Sequence, residues 1–239
     1  MVAALGNVET PFLNSGSDLV VGVDEVGRGA WAGRVSVGVA VIDRACMSSP
    51  LADQVCDSKA VSSKRRQGLA KLAESWCVAF KVGSATSQEC DRLGMRDALH
   101  LATTRAIEVV GSFIDISQAT FLVDGNLDFV NGRYSSATRK VVTIIKGDQV
   151  SKAIGAASLV AKVERDQEMV ELSESYPGFD FNVNKGYPSP THTRAPRPVG
   201  PPGPSWPRLP PRDQIPPPTV PLGPHSWPIR PSRTHKHGT

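Results

Sequence analysis

Three apolar runs in this sequence each lead into acidic residues. LVVGV is followed directly by Asp24 and Glu25, and ATFLV by Asp124, while Asp148 closes a Lys146-Gly147-Asp148 turn after KVVTII. The end of an apolar strand is a costly place for charge unless a cation sits beside it. Three such ends point to one acidic cluster at one edge of a sheet. Oxygen donors without His or Cys favour Mg²⁺ or Mn²⁺ over zinc. An ion held by a few carboxylates keeps waters and suits phosphate chemistry. In a two-metal arrangement one ion generates the attacking hydroxide and the other stabilises the leaving oxygen. Two other readings fit the same spacing. Paired carboxylates also hydrolyse glycosides when one is kept protonated, and Asp24-Glu25 alone is compatible with a solvated surface turn.

The elements that must position these groups follow from hydrophobic periodicity. Leu19–Val23 and Arg34–Ile42 read as strands, the second with Val35, Val37, Val39 and Val41 in alternation. Side chains alternate along a strand, so Asp24 and Glu25 start on opposite faces unless the glycine-rich turn bends them to one edge. Asp43–Ser63 reads as a polar connection. Ser62 and Ser63 can cap a helix from about Lys64 to Trp76, with Leu69, Leu72, Ala73 and Trp76 as its apolar stripe. Cys77–Val82 reads as a third strand. Thr86 to Glu89 has capping-box spacing and opens one long helix to about Val110, buried through Leu93, Ala98, Leu101, Ala102, Ala106 and Val109. His100 reads as a helix-surface or satisfied, partly buried histidine. Ala119–Val123 and Lys140–Ile145 complete the strands. Ser151 to about Ser173 reads as a helix whose Gly155, Ala156, Ala157 and Ser158 permit close packing. This order implies an α/β layer fold with a mixed sheet.

Charge is distributed unevenly over the 239 residues. From Ala195 onward lie 15 of the 20 prolines, six Lys/Arg and one acidic residue. The preceding 194 residues carry 21 basic and 22 acidic side chains, so the formal +4 comes from the tail. Any nucleic-acid interface must therefore be a local patch. Cys46, Cys56, Cys77 and Cys90 lack the spacing of a zinc site or disulfide framework and read as free thiols in a reducing compartment. Residues 1–18 read as a loose lead-in without signal-peptide character, and no apolar run approaches membrane-spanning length. A cytoplasmic monomer with no membrane partner is expected.

VGVDEVGRGAWAG closely resembles the opening signature of type 2 ribonuclease H (ribonuclease HII). The resemblance continues in order through DSKAVS at Asp57–Ser62, LVDGN at Leu122–Asn126 and KGD at Lys146–Asp148. It extends to AASLVAKVERD at Ala156–Asp166 and NKGY at Asn184–Tyr187, covering about residues 19–194. It implies a ribonuclease H-like mixed central sheet flanked by helices. It also implies hydrolysis of RNA in RNA–DNA hybrids and incision 5′ of a single ribonucleotide in duplex DNA. Asp24, Glu25, Asp124 and Asp148 match the family's catalytic carboxylates, the first three as main metal ligands and Asp148 completing the site. Gly27-Arg28-Gly29 matches the loop that senses the ribose 2′-OH, a task suited to glycine because its backbone approaches the sugar closely. Tyr187 matches the tyrosine that senses the RNA–DNA junction. Lys59 and Lys146 are candidate phosphate contacts. Asp166 reads as an ion-paired or capping helix residue.

After about Arg194 the sequence departs from that family. Residues 195–239 have a composition that cannot form a packed core, and a disordered or polyproline-like tail is expected. A changed reading frame and a genuine Pro-rich tail both account for it. Two further functional readings stand beside the enzyme: a catalytically weakened nucleic-acid-binding remnant, and a Pro-rich interaction protein.

Overall fold

The computed structural model describes residues 8–15, 18–55 and 63–190. The DSKAVS motif with Lys59, and the Pro-rich tail, lie outside the described residues. Five strands form one mixed sheet: β1 (Val20–Val26), β2 (Val35–Ile42), β3 (Ala79–Ala85), β4 (Thr120–Asp124) and β5 (Lys140–Ile144), in the order β3-β2-β1-β4-β5. β1 pairs antiparallel with β2 and parallel with β4, and β5 runs parallel to β4. The mixed α/β sheet expected from the sequence is the one observed.

Eight helices accompany the sheet among the described residues. They are α1 (Thr10–Asn14), α2 (Arg44–Met47), α3 (Ala52–Val55), α4 (Ser63–Trp76), α5 (Ser87–Leu93), α6 (Met95–Gly111), α7 (Lys152–Ser175) and α8 (Phe181–Asn184). Alternation along the strands divides the core in two. Val21, Val23, Val37 and Val39 face α6 through Leu99, Ala102 and Ala106. Val20, Ala40, Ile42 and Leu122 face α7 and α4 through Ile154, Ala157 and Trp76. Helix α7 lies almost on the backbone of the sheet. A Cβ added to Gly22 would stand 2.1 Å from the Ala153 carbonyl carbon, and one on Gly38 2.2 Å from the Ala157 carbonyl oxygen. The small-residue patch read from the sequence is this contact.

Several expectations are corrected. The long helix from Thr86 is two helices: the capping box forms as read, but the chain breaks at Gly94, with φ of 77°. Apolar residues recur at helical spacing on both sides of Gly94, so periodicity alone does not detect the break. The buried face of α6 is rotated from the expected one. Leu99, Thr103 and Ile107 are buried, whereas Val109 is 41 % exposed. His100 is fully in the core, its Nδ1–H donating to the Phe129 carbonyl at 3.1 Å and its Nε2 accepting from Tyr134 N–H at 2.9 Å. The connection from Asp43 contains α2, capped by the Asp43 side chain at 2.8 Å from Cys46 N, and α3. Trp76 is core, donating its Nε1–H to the Cys46 carbonyl at 2.7 Å. Within the expected loose lead-in, residues 9–14 are docked, with Glu9 and Leu13 buried. Cys46, Cys77 and Cys90 are free thiols. No helix among the described residues is long and apolar enough to cross a membrane.

Candidate active site

Strand register assembles the acidic corner. Val23 of β1 is aligned with Val123 of β4, so the next residues along these parallel strands are Asp24 and Asp124. Asp124 is in turn aligned with Ile144 of β5, after which the chain turns through Lys146 into a 3₁₀ segment, Gly147–Gln149. All three apolar runs thus end at one edge, as their sequences imply. Asp24 and Glu25 remain within β1 and pair with Gly38 and Val37 of β2, so they begin on opposite faces.

The structure brings Asp24, Glu25 and Asp124 close enough to feel one another's charge. Burial, reinforced by the Asp124 and Glu25 charges, holds the Asp24 carboxyl up at about 7. Hydrogen bonds from the Ser158 side chain on α7 and from the Glu25 N–H, at 2.8 Å, oppose the rise. Burial also raises Glu25, against the pull of Arg28, whose Nη1 lies 3.6 Å from Glu25 Oε1. Asp124 Oδ1 accepts from Gly147 N–H at 2.6 Å, which ties the turn bearing the buried Asp148 to the β4 tip.

These carboxylates share a corner without closing into a cage. Among the described residues, no three His, Cys, Asp or Glu side chains are grouped closely enough to hold a metal ion. Asp24 and Asp124 each take local backbone hydrogen bonds, from Glu25 N–H and Gly147 N–H. The donor set itself suits a hard divalent cation. It is all oxygen, and its most buried member is held toward its neutral form by burial and by neighbouring negative charge.

A second group forms beside this corner. The loop after β1 carries Gly27, the exposed Arg28 and Gly29, and returns through Trp31 and Ala32. The N–H groups of Trp31 and Ala32 both donate to the Gly186 carbonyl, at 2.7 and 3.2 Å. A Cβ on Gly29 would lie 3.9 Å from Cε1 of the half-buried Tyr187, so the two sequence-predicted recognition elements adjoin. Arg165, 1 % exposed on α7, joins them. It donates through Nε to the Arg34 carbonyl at 3.0 Å, through Nη2 to Ala32 at 3.0 Å and through Nη1 to Lys185 at 2.9 Å. Gly27, at φ +92°, leaves room for it: a Cβ there would stand 2.4 Å from Arg165 Nε. Arg165 lies within the quoted AASLVAKVERD segment, but its partners are carbonyls far apart in sequence, and no pattern reveals them.

Lys146 is exposed in a left-handed conformation, φ 55°, beside Asp148. Asp166 is ion-paired, 2.5 Å from Lys162 and 3.9 Å from Arg66.

Comparison with known proteins gives the family. A family model described as ribonuclease HII matches residues 21–201, running past Arg194 into the Pro-rich segment. The ribonuclease HII of Streptomyces avermitilis is 40% identical over 181 residues, spanning 76% of this chain and 72% of that protein. That of Streptomyces griseus is 43% identical over 184 residues, with 76% and 72% covered. The crystal structure of the ribonuclease H2 from Pyrococcus horikoshii OT3 is similar with a TM-score of 0.58 and 28% identity, covering 73% of this chain and 83% of that one. The glycoside reading of the carboxylates falls with these matches. The chain belongs to the ribonuclease HII family and is a metal-dependent endoribonuclease.

Proposed function

We propose that this protein hydrolyses the RNA strand of RNA–DNA hybrids and cuts 5′ of single ribonucleotides embedded in duplex DNA. The observation that carries the reading is the β1–β4 register, which sets Asp24 and Asp124 side by side with Glu25 next to them. Asp24, Glu25 and Asp124 are the proposed holders of Mg²⁺ or Mn²⁺, with Asp148 completing the site. When bound, the metal supplies a nucleophilic hydroxide at neutral pH and stabilisation of the leaving oxygen. The carboxylates supply the negative charge that recruits it. Burial of Asp24 strengthens their mutual repulsion and so favours cation uptake.

The chain's remaining groups bind and orient the nucleic acid. Gly29 leaves its loop open toward Tyr187, so backbone and ring together form a surface against which a ribose 2′-OH and the adjoining sugar can be read. Exposed Lys146 and Arg28 offer charge to phosphates, which positions the duplex without reading its sequence. Lys59 is assigned a phosphate contact on its motif alone. The test is cleavage of a DNA duplex containing one ribonucleotide, and of a continuous hybrid, with Mg²⁺, with Mn²⁺ and with EDTA. Cleavage of both with either ion, abolished by EDTA, is expected. Cleavage that persists in EDTA, or of neither substrate, contradicts the reading.

A further inference from the structure

Glu9 is fully buried, although the first 18 residues have no visible connection to the acidic corner in the sequence. Its Oε1 accepts from the Ser151 hydroxyl at 2.7 Å and from Ala153 N–H at 3.0 Å, both at the start of the 24-residue helix α7. Its Oε2 has no hydrogen-bond partner. Burying a carboxylate is unfavourable, and is offset here by two donors and the positive end of a long helix. Capping does not require it, because Ser151 Oγ already accepts from Ile154 N–H at 3.1 Å. Glu9 therefore adds a second anchor at a helix end that is already capped.

What that helix end holds explains the second anchor. Ser151 N–H donates to the Gly147 carbonyl at 2.7 Å, and Gly147 N–H donates to Asp124 Oδ1 at 2.6 Å. Asp148 lies within the turn that the Ser151–Gly147 bond closes. About two turns further along, α7 presents Ser158 to Asp24. The position of α7 along its axis thus sets both the Asp148 turn and the partner of Asp24. The segment carrying Glu9 is itself fixed from outside: Arg44 Nη1 donates to Asn14 Oδ1 at 2.6 Å, and its Nη2 to the Leu13 carbonyl. We propose that Glu9 is a positioning residue for the carboxylate site. On this view the N-terminal segment belongs to the catalytic scaffold, setting through Ser151 the placement of Asp148 and Asp124 for metal binding. The inference rests on the carboxylate reading above.

The test uses the full chain with Glu9→Ala, Glu9→Gln, Ser151→Ala and Asp124→Asn. Mn²⁺ affinity is measured by calorimetry, and single-turnover cleavage is followed at temperatures where each variant is folded. Glu9→Ala is expected to weaken Mn²⁺ binding by about tenfold, in the range for residues that support metal ligands from behind. The single-turnover rate should fall with it, while the concentration dependence on duplex stays unchanged. Glu9→Gln keeps an acceptor oxygen and should lie within about twofold of the parent protein. Ser151→Ala should repeat the Glu9→Ala loss, and decides the matter if Glu9→Ala does not fold. A folded Glu9→Ala, or failing that Ser151→Ala, with unchanged Mn²⁺ affinity and rate would overturn the proposal and leave Glu9 a stabilising residue. If Asp124→Asn also leaves Mn²⁺ affinity unchanged, the carboxylate reading itself has failed.

Discussion

Arg165 lies over the Tyr187 ring: its guanidinium carbon is 5.5 Å from the ring centre, with Lys162 Nζ at 5.9 Å. The ring that would meet a sugar at the RNA–DNA junction is thus held by the same cation that fixes the Gly27–Arg34 loop. The two halves of the proposed recognition surface share one anchor, so they should move or fail together.

Arg165→Met removes three charge-assisted hydrogen bonds and leaves the Ala32, Arg34 and Lys185 carbonyls to find other partners. A stability loss on the order of 3 kcal/mol is expected, read as a lower melting temperature. Duplex affinity should fall as well. A variant of unchanged stability would show that the carbonyls are satisfied without the guanidinium.

Tyr187→Ala separates recognition from chemistry. A lone ribonucleotide offers one productive register, whereas a continuous hybrid offers many and tolerates looser positioning. Incision at the lone ribonucleotide should therefore fall more than cleavage of the hybrid, under single-turnover conditions with both substrates. Equal losses, accompanied by a lower melting temperature, would make Tyr187 a packing residue only.

Gly38→Ala probes the contact between sheet and helix. The new methyl would meet the Ala157 carbonyl oxygen at 2.2 Å and its carbon at 2.8 Å, so α7 must shift. Overpacking of this kind costs about 1–3 kcal/mol. Because Ser158 follows directly in the chain, cleavage should fall beyond what the lost stability explains. A melting temperature equal to the parent's would show that α7 has slack against β2.

The acidic edge was legible in the sequence because strand alternation is a local signal. Val21, Val23, Phe121 and Val123 declare the strands and where their apolar runs stop, and so place Asp24 and Asp124, although β1 itself continues to Val26. The Gly94 break was hidden because apolar residues recur at helical spacing on both sides of it. Glu9 and Arg165 were hidden for another reason. Each is a charged residue satisfied by groups on distant segments, Glu9 by Ser151 and Ala153 and Arg165 by Ala32, Arg34 and Lys185. Such pairing exists only once the chain is folded.

Acid stability offers a check away from the site. Arg105 donates to both carboxylate oxygens of Glu89, at 2.9 and 2.6 Å, and holds its pKa down at about 2 from an ordinary 4.5. A lowered carboxylate pKa means that the unfolded chain binds more protons between those values. The pair's stabilisation is therefore present above about 4.5 and lost as pH falls toward 2. Arg105→Leu should cost about 1 kcal/mol or less at neutral pH, since the pair is partly exposed. Its difference from the parent protein should shrink as pH falls through that window. A difference that stays constant with pH would assign the effect to packing.

The carboxylate corner is tested most directly by Asp124→Asn on a DNA duplex containing one ribonucleotide, at saturating Mg²⁺ in single turnover. Asparagine keeps an oxygen to accept from Gly147 N–H, so the fold and the Asp148 turn should persist, as circular dichroism would verify. Loss of the charge from the corner should lower the cleavage rate on the order of a hundredfold or more. Cleavage at the parent rate by a folded Asp124→Asn protein would contradict the assignment of this corner as the active site.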